Sequence, residues 1–167
     1  GYGGSSGFGD LTQIPIFSDV NFIKADARLS WASAGIVSTP ENMARWAYEL
    51  FSAKGSAVSP EVRDQLTSSF RETTISLAGA PQKYGYHVAL NQHRLSDGSY
   101  VTTYGHPGGG AGYASALFYA RSLDLAISIS ANSDLGYLLG TCASRSEHWL
   151  NPFDCITRDF FEIARGQ

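Results

Sequence analysis

The sequence is sparing in several residue types, and each scarcity excludes something. It has two cysteines, four histidines and one methionine in 167 residues. No Cys-x-x-Cys or His-x-x-x-His spacing accompanies the cysteines, which argues against a zinc site. Positive charge is not in excess: 12 Lys and Arg stand against 15 Asp and Glu, for a net charge of −3. No block of like charge interrupts the chain, so nucleic acid is not the expected partner. No apolar run approaches the roughly 20 residues of a membrane-spanning helix. The opening residues have neither the basic start nor the apolar core of a signal peptide. No internal repeat is visible.

What is present is a globular composition. Apolar residues make up 43% and charged residues 16%, enough apolar side chains for one domain with a real core. Aromatics are abundant, with nine Tyr, nine Phe and three Trp. Large rings serve cores and binding clefts alike. Cys142 and Cys155 flank a loop-like stretch that contains Asn151-Pro152. One disulfide closing that loop would fit a secreted or periplasmic protein, and two unpaired buried thiols are the alternative.

Residues 1–10, rich in Gly and Ser, read as a flexible lead-in. A first helix is expected from near Ser38, where Ser38-Thr-Pro-Glu41 has the capping-box form and Pro40 lies in the first turn. Met43, Trp46, Ala47, Leu50 and Phe51 then fall on one face, and Gly55 comes next as a stop. A second, short helix is expected after Ser59-Pro60, with Val62 and Leu66 facing inward. The period then changes. Strands are expected at 86–90, 100–104, 113–120 and 125–131, separated by the Ser96-Asp97-Gly98 turn and by a turn at 121–124. A last helix is expected from about Pro152 to Ala164, with Ile156, Phe160 and Ile163 on its packing face. The fold class is therefore α+β: flanking helices, three or four antiparallel strands, and a terminal helix packed on the sheet.

The most unusual segment is Tyr104-Gly-His-Pro-Gly-Gly-Gly-Ala-Gly112. Five of the eight residues 105–112 are glycine, which strips side chains where a backbone approaches something closely. Exposed N–H groups there could bind an anion or a developing oxyanion. On composition alone the simpler reading is a glycine-rich hairpin loop with an incidental histidine. Nucleotide readings fail: the Gly-Lys-Ser/Thr of a phosphate-binding loop is absent, and the residues after the glycines alternate like a strand instead of opening a helix. His87 and His93 read as surface or core histidines. Glu147-His148-Trp149 reads as loop polarity plus an aromatic anchor. Trp31 is as readily core as pocket wall, whereas Tyr113, just after the glycines, is the better pocket candidate.

The string from Ser30 to Trp46, SWASAGIVSTPENMARW, resembles a segment of the class C β-lactamase and D-alanyl-D-alanine carboxypeptidase superfamily. Tyr84-Gly-Tyr, Tyr104-Gly-His-Pro-Gly, Gly112-Tyr-Ala-Ser and Ala131-Asn-Ser-Asp134 continue the resemblance in the same order. It runs from about Gly1 to Asp134. What it implies is the C-terminal part, residues 1–167, of a single β-lactamase-like three-layer domain. The Gly-His-Pro-Gly position matches the family's third catalytic motif, Lys/His-Thr-Gly. The resemblance thus implies a catalytic role for His106 beside a nucleophile, and for the Gly109 N–H as one oxyanion donor. Pro107, Gly108, Gly110 and Tyr113 become substrate-binding candidates, with no cofactor and no metal. Pro107 and Gly109 lack the hydroxyls that hold a substrate carboxylate in the peptidases, which leaves ester, amide and peptide substrates open.

The family's nucleophile motif Ser-x-x-Lys is missing. The residues three before Lys24, Lys54 and Lys83 are Asn21, Phe51 and Ala80. Tyr-x-Asn is missing as well. Ser130-Ala-Asn132 matches a strand end of the family and takes no catalytic role. In the family both motifs precede the region that this chain matches. The expected partner is therefore an N-terminal chain of the same precursor that carries Ser-x-x-Lys and Tyr-x-Asn. Without it, sheet edges and an apolar face would lie uncovered. The competing expectation is a non-catalytic β-lactamase-like module that binds a peptide, glycan or protein in the same cleft.

Overall fold

A computed structural model describes residues 36–77, 80–110, 113–132 and 152–166. The lead-in at 1–10, Trp31, Cys142 and Glu147-His148-Trp149 lie outside the described residues.

Helix α1 spans Pro40–Phe51. Its cap is Thr39, one residue later than the capping-box reading, with the hydroxyl accepting from the Asn42 N–H at 3.2 Å. Helix α2 spans Pro60–Ser68 and is capped by Ser59. Val62 is exposed and Leu66 only half-buried; the inward residue of α2 is Arg63. Its guanidinium donates to the carbonyls of Leu50 (3.0 Å), Gly55 (2.7 Å) and Val58 (3.3 Å). A buried cation is tolerated there because it satisfies carbonyls of the last turn of α1 and of the connection that follows it.

Six strands come next: β1 (Arg71–Leu77), β2 (Ala80–Tyr84), β3 (Ala89–Arg94), β4 (Tyr100–Gly110), β5 (Tyr113–Ala120) and β6 (Leu125–Ala131). They form one antiparallel sheet in the order β1-β2-β3-β4-β5-β6. The α+β antiparallel reading holds, with six strands instead of three or four. The segment expected to be a strand at 86–90 is mostly turn: Gly85 N–H donates to Val88 O at 2.8 Å, and His87 takes a left-handed backbone (φ 55°). The glycine-rich stretch is not a loop. Residues 105–110 continue β4 and pair with β5 through Gly110 and Tyr113.

Helices cover both faces, giving three layers. On one face Phe51 and Ala47 of α1 pack with Val88, Tyr104 and Tyr119. On the other, Phe153 and Phe161 of α3 (Pro152–Ala164) pack with Leu95, Val101, Ala116, Phe118 and Ile127. The expected packing face of α3 is corrected here. Phe153, Thr157 and Phe161, at i, i+4 and i+8, are buried, whereas Ile156, Phe160 and Ile163 are exposed. The helix carries two apolar faces, and the sheet takes only one. Trp46 on α1 is also half exposed. Cys155 of α3 is disulfide-bonded, so the unpaired-thiol alternative falls.

Two polar arrangements fix these layers. Asp124, in a left-handed turn between β5 and β6 (φ 48°), accepts from Ser52 Oγ (2.7 Å), Tyr119 Oη (2.8 Å), Lys54 Nζ (2.7 Å) and Tyr48 Oη (3.2 Å). Lys54, then Ser52 and Tyr119, hold its carboxyl well below the usual carboxylate range. Burial pushes the Tyr119 phenol up to about 12, so it serves only as a protonated donor. On the other face, His93 is buried against Phe118 and Phe161 and pairs with Thr103 Oγ1 at 2.9 Å. His93 is thus a satisfied core histidine, as its sequence setting suggested.

Two outcomes are expected. Tyr119→Phe keeps the packing and loses a charge-assisted hydrogen bond, so urea unfolding should show a loss of roughly 2 kcal/mol. Burial drives His93 down to about 4 from the 6.5 of a free imidazole. Between those values the unfolded chain binds the proton and the folded one does not. Stability should therefore fall as pH drops from about 6.5 to about 4, by roughly 3 kcal/mol at most, and this term should level off below. His93→Gln should flatten that part of the pH profile.

Candidate functional site

The candidate site is the second half of β4. Strand β3 covers β4 only from Tyr100 to Gly105, where the last pair is Ala89 with Gly105. Strand β5 covers it from Thr103 to Gly110. Residues 106–110 therefore have β5 on one side and, among the described residues, no strand on the other. Their backbone makes an open edge in the middle of the sheet.

The direction of each backbone group along that edge is set by the hairpin. Leu95 N–H donates to Ser99 O at 2.9 Å, so odd-numbered residues of β4 direct their polar backbone groups toward β3. By alternation, Pro107 and Gly109 direct theirs to the same side, where β3 has ended. Proline fits such a position because it has no N–H to give a ladder. Gly109 then presents its N–H to the open edge. The side chains alternate the other way. His106, Gly108 and Gly110 share a face with their partners Leu117, Ser115 and Tyr113, the face that carries α1.

Each glycine answers to a different neighbour. Gly105 has φ 151°, and a Cβ there would overlap the backbone carbonyl of Leu117. At Gly108 a Cβ would collide with Ser115 Oγ, which occupies the space above it. At Gly109 nothing lies within 4 Å, so the bare backbone faces open space.

His106 is exposed. Its Nδ1 contacts the carbonyl oxygen of Pro107. A carbonyl only accepts, so Nδ1 is the donor in that contact, and Nε2 is the ring nitrogen that it leaves unused. Tyr84, the last residue of β2, meets the His106 ring edge-on, with centroids 5.6 Å apart. Tyr113 is 39% exposed at the far end of the edge. The structure thus brings His106, Pro107, Gly108, Gly109, Gly110 and Tyr113 together along one strand edge and its turn. Sequence reasoning misses the part played by Tyr84. It lies in the Tyr-Gly-Tyr string, but only pairing through β3 places it beside His106. Among the described residues no group of His, Cys, Asp and Glu could hold a metal ion. No helix among them is long and apolar enough to cross a membrane.

One antiparallel sheet with helices on both faces is the α+β architecture of a truncated β-lactamase-like fold. The sequence matches the family model described as Beta-lactamase over residues 6–138, most of its length, and the chain belongs to that family. Neither the curated proteins nor the solved structures gave a match.

The glycines separate by substitution. Gly105→Ala forces a Cβ into a carbonyl at a backbone angle that side chains avoid, and should cost roughly 3 kcal/mol or more. Gly109→Ala, with open space around it, should stay within about 1 kcal/mol of the parent. Thermal melts of the two variants side by side check this, and equal losses would contradict the geometry.

Proposed function

We propose that this chain is part of a serine hydrolase of the class C β-lactamase and D-alanyl-D-alanine carboxypeptidase type, acting through an acyl-enzyme on an ester, amide or peptide. The observation that carries the reading is the open edge of β4, with open space around Gly109 and the exposed His106 imidazole three residues before it on the same strand. An N–H fixed in that position is ready to meet the oxyanion of a tetrahedral intermediate. His106 would sit against the nucleophile and shape the hydrogen bonding and charge around it. Gly109, with nothing within 4 Å of it, leaves room for a substrate backbone along the strand, and Gly108 and Gly110 flank it. Pro107 and Tyr113 border the same path.

The nucleophile and its lysine come, in this reading, from an N-terminal chain of the same precursor, because Ser-x-x-Lys and Tyr-x-Asn do not occur in the 167 residues. Three surfaces support such a companion. Among the described residues strand β6 pairs with β5 alone, a seven-residue apolar edge of the kind that invites another strand. The second apolar face of α3, Ile156, Phe160 and Ile163, is exposed in a single stripe. Trp46 adds a large ring on the other side. The disulfide at Cys155 suits a secreted or periplasmic setting.

A second reading rests on the same missing motif: a β-lactamase-like module that binds without turning over. A fluorophosphonate serine probe decides between them. The hydrolase reading expects label on a companion chain only, and only while the two chains stay associated. His106→Ala should slow that labelling by about 10²-fold or more. A sample holding one 18.0 kDa species and taking no label favours the binding module.

A further inference from the structure

A groove of about 770 Å³ opens beside the candidate site. Ser68, Ser69, Phe70 and Arg71 form one wall, where α2 runs into β1. Tyr84, Gly85, Tyr86 and His87 form the other, where β2 turns into β3. Its volume lies in the range that encloses most of a small organic ligand. We propose that this groove binds the carboxylate-bearing aromatic end of the substrate whose reacting bond lies at His106. The proposal rests on the hydrolase reading for the words "substrate" and "reacting bond"; the groove and its chemistry stand apart from it.

Four observations carry it. The first is charge. Arg71 heads β1 and pairs through its backbone with Tyr84. The neighbouring carboxylate, Glu72, is taken by Lys83 at 3.1 Å across the same hairpin. Arg71 itself makes no ion pair among the described residues. A guanidinium left uncompensated at the wall of a groove is matched by a carboxylate, which it can grip with two parallel hydrogen bonds.

The second is the floor. Phe70 is stacked on Tyr104 at 5.7 Å with the rings parallel, and Gly85 lies so close that a Cβ there would press on the Phe70 ring. Phe70 is thus fixed from two sides and offers the groove a rigid apolar edge. Tyr84 and Tyr86 supply two further rings, and Tyr86 is 65% exposed. Such rings suit an aromatic or flat apolar body.

The third is the turn. Val88 is buried and anchors it, while His87 holds a left-handed backbone that non-glycine residues seldom adopt. The result is that Tyr86 and His87 stand out over the groove. A left-handed residue held at a cleft rim accords with a binding role.

The fourth is continuity. Tyr84 lines the groove and also touches the His106 ring. One phenol ring is all that separates a ligand in the groove from the open strand edge. Pro107 and Gly109 offer no hydroxyl for a carboxylate. Arg71 places the anion-binding group on the far side of Tyr84 instead, so the favoured substrate carries its negative charge at a distance from the reacting bond.

Binding can be read without turnover. Hippurate, its uncharged analogue hippuramide, and inorganic phosphate are titrated by calorimetry into the protein as isolated, with any companion chain it carries. Hippurate should bind at least about tenfold more tightly than hippuramide, because a charged hydrogen bond is at stake. Arg71→Gln should erase that difference while leaving the melting temperature and hippuramide binding unchanged. If the variant does not fold, the ratio on the parent protein decides alone. Equal binding of the two analogues, no saturable binding of hippurate to folded protein, or phosphate matching hippurate would each overturn the proposal. A serine probe that labels nothing while hippurate still binds in this pattern would sink the hydrolase reading and leave the groove standing.

Discussion

One carboxylate ties the layers together. Asp124 sits in the tight turn between β5 and β6 and draws in donors from two other places: Tyr48, Ser52 and Lys54 at the end of α1, and Tyr119 on β5. The exposed lysine contributes little alone, because water screens it. The buried Ser52 and Tyr119 hydroxyls are different, since each donates to the anion from a site that water screens far less. The same anchor sets the height of α1 over the sheet. From there an aromatic column runs back through the molecule. Tyr48 meets Tyr119 edge-on, Phe51 lies between Tyr119 and Tyr104, and Phe70 stacks on Tyr104. The column starts at the Asp124 turn and ends at the groove beside His106. Ring contacts of this kind allow few alternative packings. The position of the groove is therefore tied to a turn at the other end of that column.

Much of this is legible in the sequence, for identifiable reasons. Helices α1 and α2 announce themselves through Thr39-Pro40 and Ser59-Pro60, since a hydroxyl cap before proline has few other uses. The strands β5 and β6 alternate cleanly because both of their faces are covered unequally. Strands β1 and β2 escape notice, because Gly79 and Pro81 punctuate that part of the sequence in the manner of a loop. Residues 105–110 mimic a loop for the same reason. Glycine and proline disfavour a strand by propensity, and here the ladder to β5 overrides them. For α3 the sequence displays two apolar faces at helical spacing. Periodicity alone does not say which one the sheet takes.

The candidate site is marked by a motif, but its working parts are a matter of register. Nothing in the string Gly-His-Pro-Gly says that β3 stops opposite Gly105. That stop leaves Gly109 bare, and it depends on the turn after Tyr84, well upstream in the chain. Tyr84 is visible as a letter in a motif. Its contact with His106 is a product of two intervening strand pairings, information that no local window contains.

Pro107 gives the open edge a direction. A full strand edge offers donors and acceptors alternately and receives a partner chain in several registers. Here position 107 has a carbonyl and no N–H, while position 109 has both. An extended chain that settles along the edge finds no hydrogen to accept at the first station and both kinds of group at the second. Sliding by two residues changes which of these groups it meets. A single imino acid thus makes the hydrogen-bonding pattern of the edge uneven before any side chain is read.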